Sequence, residues 1–145
     1  MIDPTRQDEI RKSIELFYFS YRAFTAQPDQ ILEQRGLGRV HHRILYFVGQ
    51  NPDITVNGLL KILSVSKQAL NAPLRQLIGM KLVSIRPALH DARFKQLHLT
   101  ADGEKLEAQL TGTQISHLAA VFGKTGRNAE VEWQKVMREI ADIDG

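Results

Sequence analysis

Residues 82–103 change hydrophobic period twice within a short stretch, which restricts the folds open to the chain. Residues 82–86 (Leu-Val-Ser-Ile-Arg) alternate weakly and are β-prone, and residues 87–95 are polar and turn-like. Residues 96–100 (Gln-Leu-His-Leu-Thr) alternate apolar and polar, as a half-buried strand does. Two short strands around a basic loop predict a β-hairpin. The period on both sides of it is helical.

Upstream, Ile10, Ile14, Phe17, Tyr21 and Phe24 lie at spacings of four, three, four and three, a heptad-like stripe on a helix over residues 8–25. Gln27-Pro28-Asp29 is expected to end that helix. A short apolar piece at Ile31-Leu32 follows, then a turn in which Gly36 and Gly38 bracket Leu37. A second helix over residues 40–50 carries Val40, Ile44, Phe47 and Val48 on one face, closed by Asn51-Pro52-Asp53. Thr55 is a good N-cap for a short helix with Leu59, Leu60 and Leu63. Ser64-Val65-Ser66 reads as a turn, and Ser66 caps a helix with Leu70, Leu74, Leu77 and Ile78.

After the hairpin, a long helix from Ala101 carries Leu106, Leu110, Leu118, Val121 and Phe122, with a bend expected at Gly112. Residues 123–126 read as a loop, and a last helix carries Trp133, Val136, Met137, Ile140 and Ile143. Three helices followed by a hairpin make a winged helix. The expected fold is mainly α with a small β-hairpin wing (α+β), one domain over residues 1–145. Residues 37–100 form the winged helix-turn-helix. Residues 1–36 and 101–145, whose apolar stripes exceed what so small a unit can cover, are expected to be dimerisation helices.

The charge pattern narrows the partner. The overall charge is +3, but residues 54–101 hold seven bases and a single acid, Asp91, for a net +6, while the remainder carries −3. A basic middle between acidic-leaning ends is expected of a surface made for a polyanion. The chain has no cysteine, which excludes disulfides, thiolate metal sites and thiol redox sensing. No apolar run approaches the ~20 residues that cross a bilayer, and Met1-Ile2-Asp3-Pro4 does not read as a signal peptide, so a cytoplasmic protein is expected. His41 and His42 are adjacent and point roughly 100° apart on a helix. His90, His98 and His117 lack ligand spacing, so no metal or other cofactor is expected. Asp142 and Asp144 read as solvated residues. No nucleophile elbow, phosphate loop or carboxylate pair marks an enzyme.

The segment Asp91-Ala92-Arg93-Phe94-Lys95-Gln96-Leu97-His98-Leu99-Thr100-Ala101-Asp102-Gly103 has the form D-x-R-x-x-x-L-x-L-T-x-x-G. In it Asp91 can hold Arg93 across the turn, Leu97 and Leu99 anchor the strand, and Thr100 caps the next helix. A guanidinium held rigidly on a projecting loop suits the minor groove, where narrow A·T stretches concentrate negative potential. This segment resembles the wing and following helix start of the MarR family, and residues 55–71 look like that family's helix-turn-helix. The resemblance covers residues 37–103.

It implies a homodimeric transcriptional regulator, a repressor on a pseudo-palindromic site in double-stranded DNA. Ser66, Lys67, Gln68 and Asn71 would enter the major groove, Arg75 would touch phosphate, Arg93 and Lys95 would act from the wing, and Thr55 completes the set. It also implies release of DNA by a small aromatic or phenolic ligand, for which Tyr18, Tyr21, Phe24, His41, Tyr46 and Phe47 could line a pocket. Plain core and interface packing is the other use for such aromatics. Two departures stand out. Pro73 falls inside the recognition helix, where a kink is expected, next to Ala72 where the family has a base. Lys81 stands where the family has glycine. The alternative is a winged-helix module that binds protein rather than DNA.

Overall fold

The computed structural model describes residues 1–143; Asp144, read above as solvated, lies outside them. The elements run α1 (Pro4–Gln34), α2 (Arg39–Gln50), α3 (Val56–Leu63), α4 (Lys67–Gly79), β1 (Val83–Pro87), β2 (Lys95–Leu99), α5 (Ala101–Thr125) and α6 (Arg127–Ala141). Helices α2, α3 and α4 and the β1–β2 hairpin surround one core, with Ile44, Leu45, Leu59, Leu70, Leu77, Leu82 and Leu97 sealed from solvent. Leu32 of α1 and Leu106 and Leu110 of α5 complete it.

The strands pair antiparallel, with Val83 opposite Leu99, Ser84 opposite His98 and Ile85 opposite Leu97. Lys95 is therefore a strand residue rather than a loop residue. A third strand-like contact has no counterpart in the sequence pattern. Ile54 O accepts from Leu97 N at 2.7 Å, and Thr55 bridges Gln96, so the loop before α3 runs along the free edge of β2.

Helix α1 runs through Pro28 instead of ending at Gln27-Pro28-Asp29. Proline costs one backbone donor and normally breaks a helix, but Thr25, Pro28 and Leu32 are buried on one face, and that packing carries the helix on to Gln34. Helix α4 also continues through its internal proline, Pro73, without a break. Leu70, Leu74 and Leu77 sit on its buried face on either side of the proline. Helix α5 likewise runs through Gly112 and Gly123, and the expected loop shrinks to Gly126 at φ 96°.

Two Schellman motifs fix the corners. At the end of α1, Gly36 N donates to Glu33 O and Leu37 N to Leu32 O, with Gly36 at φ 70°. At the end of α4, Lys81 N donates to Ile78 O and Leu82 N to Leu77 O. Lys81 occupies the left-handed position at φ 60°, which is why glycine would sit there without strain. The wing is then fastened to α5. The Thr100 hydroxyl donates to Lys81 O at 2.7 Å and accepts from Gly103 N at 3.0 Å, and Thr100 N donates to Leu82 O.

Candidate nucleic-acid interface

Helix α4 presents its first turns to solvent. The Ser66 hydroxyl accepts from Ala69 N at 3.1 Å, satisfying an orphan donor, and the αL residue Ser64 (φ 53°) turns the chain out of α3. Lys67, Gln68, Asn71 and Arg75 are exposed along the helix, opposite its buried leucines. They therefore form a single polar face with amide and cationic donors free to meet base edges and phosphates. Thr55 differs. It is half-buried and its hydroxyl accepts from Gly58 N at 3.0 Å, so its side chain is committed to capping α3.

The wing projects from the same core. Arg93 Nε donates to both Asp91 oxygens at 3.0 Å, its Nη2 donates to Asp91 Oδ2 at 2.6 Å, and its backbone N donates to Asp91 Oδ1 at 3.0 Å. Asp91 Oδ1 and Oδ2 are thus both engaged, and the Arg93 side chain holds the Asp91 carboxyl below its ordinary value, helped by the Arg93 amide. The Arg93 side chain remains 86% exposed, and its Nη1 donates to no group among the described residues. Ala88 N to Phe94 O, at 2.8 Å, and Phe94 N to Asp91 O, at 3.1 Å, close the loop beneath it. Lys95 is exposed at the loop end of the hairpin, opposite Pro87.

A pocket of about 370 Å³ opens between α1, α2 and α5. Four of the six aromatic-site candidates line it: Tyr21, Phe24, Tyr46 and Phe47. The other two do not. Tyr18 points to solvent on the outer face of α1. His41 faces away from it, accepting from Gly38 N at Nδ1 (2.9 Å) and bonding Gln76 Oε1 of α4 through Nε2 (2.9 Å). Its neighbour His42 occupies the pocket instead, with Arg39, Arg43, Asp29 and Thr111. The spacing 39, 42, 43, 46 is one helical face, a signal the sequence carried but adjacent histidines obscured. Arg39 pairs with Asp29 at 2.8 Å, and Arg43 Nη2 donates to the Tyr21 hydroxyl at 2.8 Å. The walls are apolar and the rim cationic.

His42 Nε2 lies 3.1 Å from Thr111 Oγ1, and the Thr111 hydroxyl donates to Glu107. Thr111 therefore accepts from a protonated Nε2. Burial pushes the imidazole below its ordinary value of 6.5, against the opposing pull of Glu107. A histidine with a lowered folded value binds fewer protons folded than unfolded. Its contribution to stability is intact above 6.5 and declines as pH falls toward the folded value. The urea midpoint of the wild type should thus drop on acidification below 6.5 more steeply than that of His42→Gln, whose amide can still donate to Thr111. Parallel midpoints for the two proteins would show that His42 does not drive the acid limb.

A polar-faced second helix, a clamped wing arginine and a strand-like segment ahead of the helix-turn-helix together define a winged helix-turn-helix protein. The MarR family model matches residues 35–93. The HTH-type transcriptional regulator PetP of Rhodobacter capsulatus is 40% identical over 135 residues, covering 93% of this chain and 81% of PetP. The chain belongs to the MarR family and is a DNA-binding transcriptional regulator. Its fold is similar to that of a single-substitution mutant of MepR from S. aureus bound to an oligodeoxyribonucleotide (TM-score 0.62, 20% identity, 90% of this chain and 96% of that one). It is also similar to NadR in complex with 4-hydroxyphenylacetate (TM-score 0.73, 23% identity, 88% and 91%). No helix among the described residues is long and apolar enough to cross a membrane.

Proposed function

We propose that this chain is a ligand-responsive repressor, binding a pseudo-palindromic operator as a homodimer with α4 in the major groove and Arg93 in the flanking minor groove. The observation that carries this reading is the Asp91–Arg93 clamp, which holds a planar, exposed cation on the projecting loop of the wing. Dimerisation rests on the apolar surface left uncovered in one subunit. Ile14, Phe17 and Tyr18 of α1 and Val131, Trp133, Val136 and Ile140 of α6 are exposed, and α6 buries no residue of its own. Such surface is what an obligate symmetric dimer hides. The pocket, apolar with Arg39 and Arg43 at its rim, suits an aromatic or phenolic anion whose binding would shift α1 and α2 and release the DNA. The phenolic compound in the NadR complex is of that class.

The test is base reading by α4. Gln68→Ala or Asn71→Ala should cost ~1–3 kcal/mol on an operator selected from genomic DNA if either makes a bidentate adenine contact. Binding to random duplex should hardly change. Equal losses on both duplexes would turn these residues into phosphate contacts. No preference for any genomic fragment would favour the protein-interaction module.

A further inference from the structure

On the face of the hairpin opposite Val83 and Leu97, three polar side chains from separate segments line up. His98 of β2 bonds Asp53 Oδ1 through Nε2 at 2.6 Å. Asp53 belongs to the loop between α2 and α3 and adopts a left-handed backbone at φ 65°. Ser84 of β1 stands opposite His98 in the strand register. The Ser84 hydroxyl and His98 Nδ1 are both sealed from solvent and without a partner among the described residues.

These groups are complementary. A carboxylate at Nε2 fixes the imidazole proton on that nitrogen, which leaves Nδ1 an acceptor. The hydroxyl across the strand is a donor. Two buried unpaired polar atoms are costly, and a shared hydrogen bond removes both penalties. Because the hydroxyl is sealed, no substrate reaches it, so the order Ser84, His98, Asp53 is not that of a nucleophile and its base.

We propose that Ser84, His98 and Asp53 form a relay, with Ser84 donating to His98 Nδ1 directly or through one buried water, that sets the angle of the wing. Asp53 and His98 are then positioning residues for Arg93, a role that rests on the minor-groove reading of the wing given above. The backbone supports it. Leu97 N to Ile54 O and the Thr55–Gln96 bridge already lay the same loop along β2. The side-chain relay adds the link from that loop across β2 to β1. It ties both strands of the wing to the segment that leads into the helix-turn-helix, so the wing and α4 keep one relative orientation.

Asp53→Gly separates positioning from folding. It deletes the carboxylate at a position where glycine relieves backbone strain, so thermal stability should stay level or rise. Affinity for a duplex of alternating A·T pairs should nevertheless fall about tenfold, the effect of weakening the Arg93 groove contact by misplacing it. Asp53→Asn, whose amide oxygen still accepts from Nε2, should recover part of that loss. In an Arg93→Ala background, Asp53→Gly should have no further effect. Nitrogen-15 spectra of the His98 ring should report the Nε2-protonated tautomer, with an Nδ1 signal that moves in Ser84→Ala.

Wild-type affinity in Asp53→Gly would overturn the proposal. So would the same loss with or without Arg93, or an affinity that merely tracks a falling melting temperature. Failure of the wing reading appears separately, as unchanged affinity in Arg93→Ala alone, and it removes the positioning role as well.

Discussion

Arg93→Ala is expected to weaken operator binding by about ten- to a hundredfold, the range of one lost groove contact, while leaving folding intact. The side chain is 86% exposed, and its one partner among the described residues is Asp91. Exposed ion pairs contribute little to stability, so little of the fold depends on it. Binding should depend on it more. Three hydrogen bonds to Asp91 fix the guanidinium before DNA arrives, so little side-chain entropy is lost on association. A delocalised planar cation is also easier to desolvate in a narrow groove than an ammonium. Arg93→Lys should therefore rescue only part of the loss. The salt slope should fall by ~1 per subunit if the contact releases one counterion. Asp91→Ala should show a milder form of the same defect. Salt-dependent fluorescence anisotropy reads all of these, and superimposable curves for wild type and Arg93→Ala would mean that the wing does not touch DNA.

Gly103→Ala is expected to unfold the junction between wing and α5. A Cβ there would lie 1.9 Å from Leu82 O and 2.9 Å from Leu82 C. Both are backbone atoms of a buried residue, and Leu82 O also accepts from Thr100 N. No flexible side chain can move aside, so the strands and α5 must separate. Overpacking against mobile neighbours costs ~1–3 kcal/mol, and a backbone clash exceeds that. The melting temperature should fall by roughly 10 °C or more. Gly79→Ala is the control. It lies in the last turn of α4, has no atom within 4 Å of the added Cβ, and should be neutral or slightly stabilising. A calorimetric scan of Gly103→Ala matching the wild type would contradict the packing described here.

The wing was legible in sequence where its contacts are local. Asp91 reaches Arg93 two positions on, Thr100 caps the helix it starts, and the leucines alternate. The glycine at 103 was visible as part of the pattern, but its reason, the approach of Leu82 O, involves a segment 21 residues away. The helix end expected at Gln27-Pro28-Asp29 was misread because local propensity was outweighed by burial of Leu32, which only tertiary packing reveals. The pocket was half legible. Tyr21, Phe24, Tyr46 and Phe47 converge, but which of two adjacent histidines turns inward depends on partners 35 and 69 residues distant, Gln76 for His41 and Thr111 for His42. The Asp53–His98 contact, across 45 residues, had no sequence signal at all.

Helix α4 and the wing should engage different grooves of one duplex. Hydroxyl-radical footprinting on a selected operator tests this most directly, since the radical attacks sugars lining the minor groove. The wild-type protein should protect two outer minor-groove segments, placed symmetrically about the operator centre and flanking the major-groove half-sites. Arg93→Ala should lose those outer protections while protection of guanine N7 from dimethyl sulfate within the half-sites survives at saturating protein. Outer protections that persist unchanged in Arg93→Ala, or their absence from the wild-type footprint, would contradict the account.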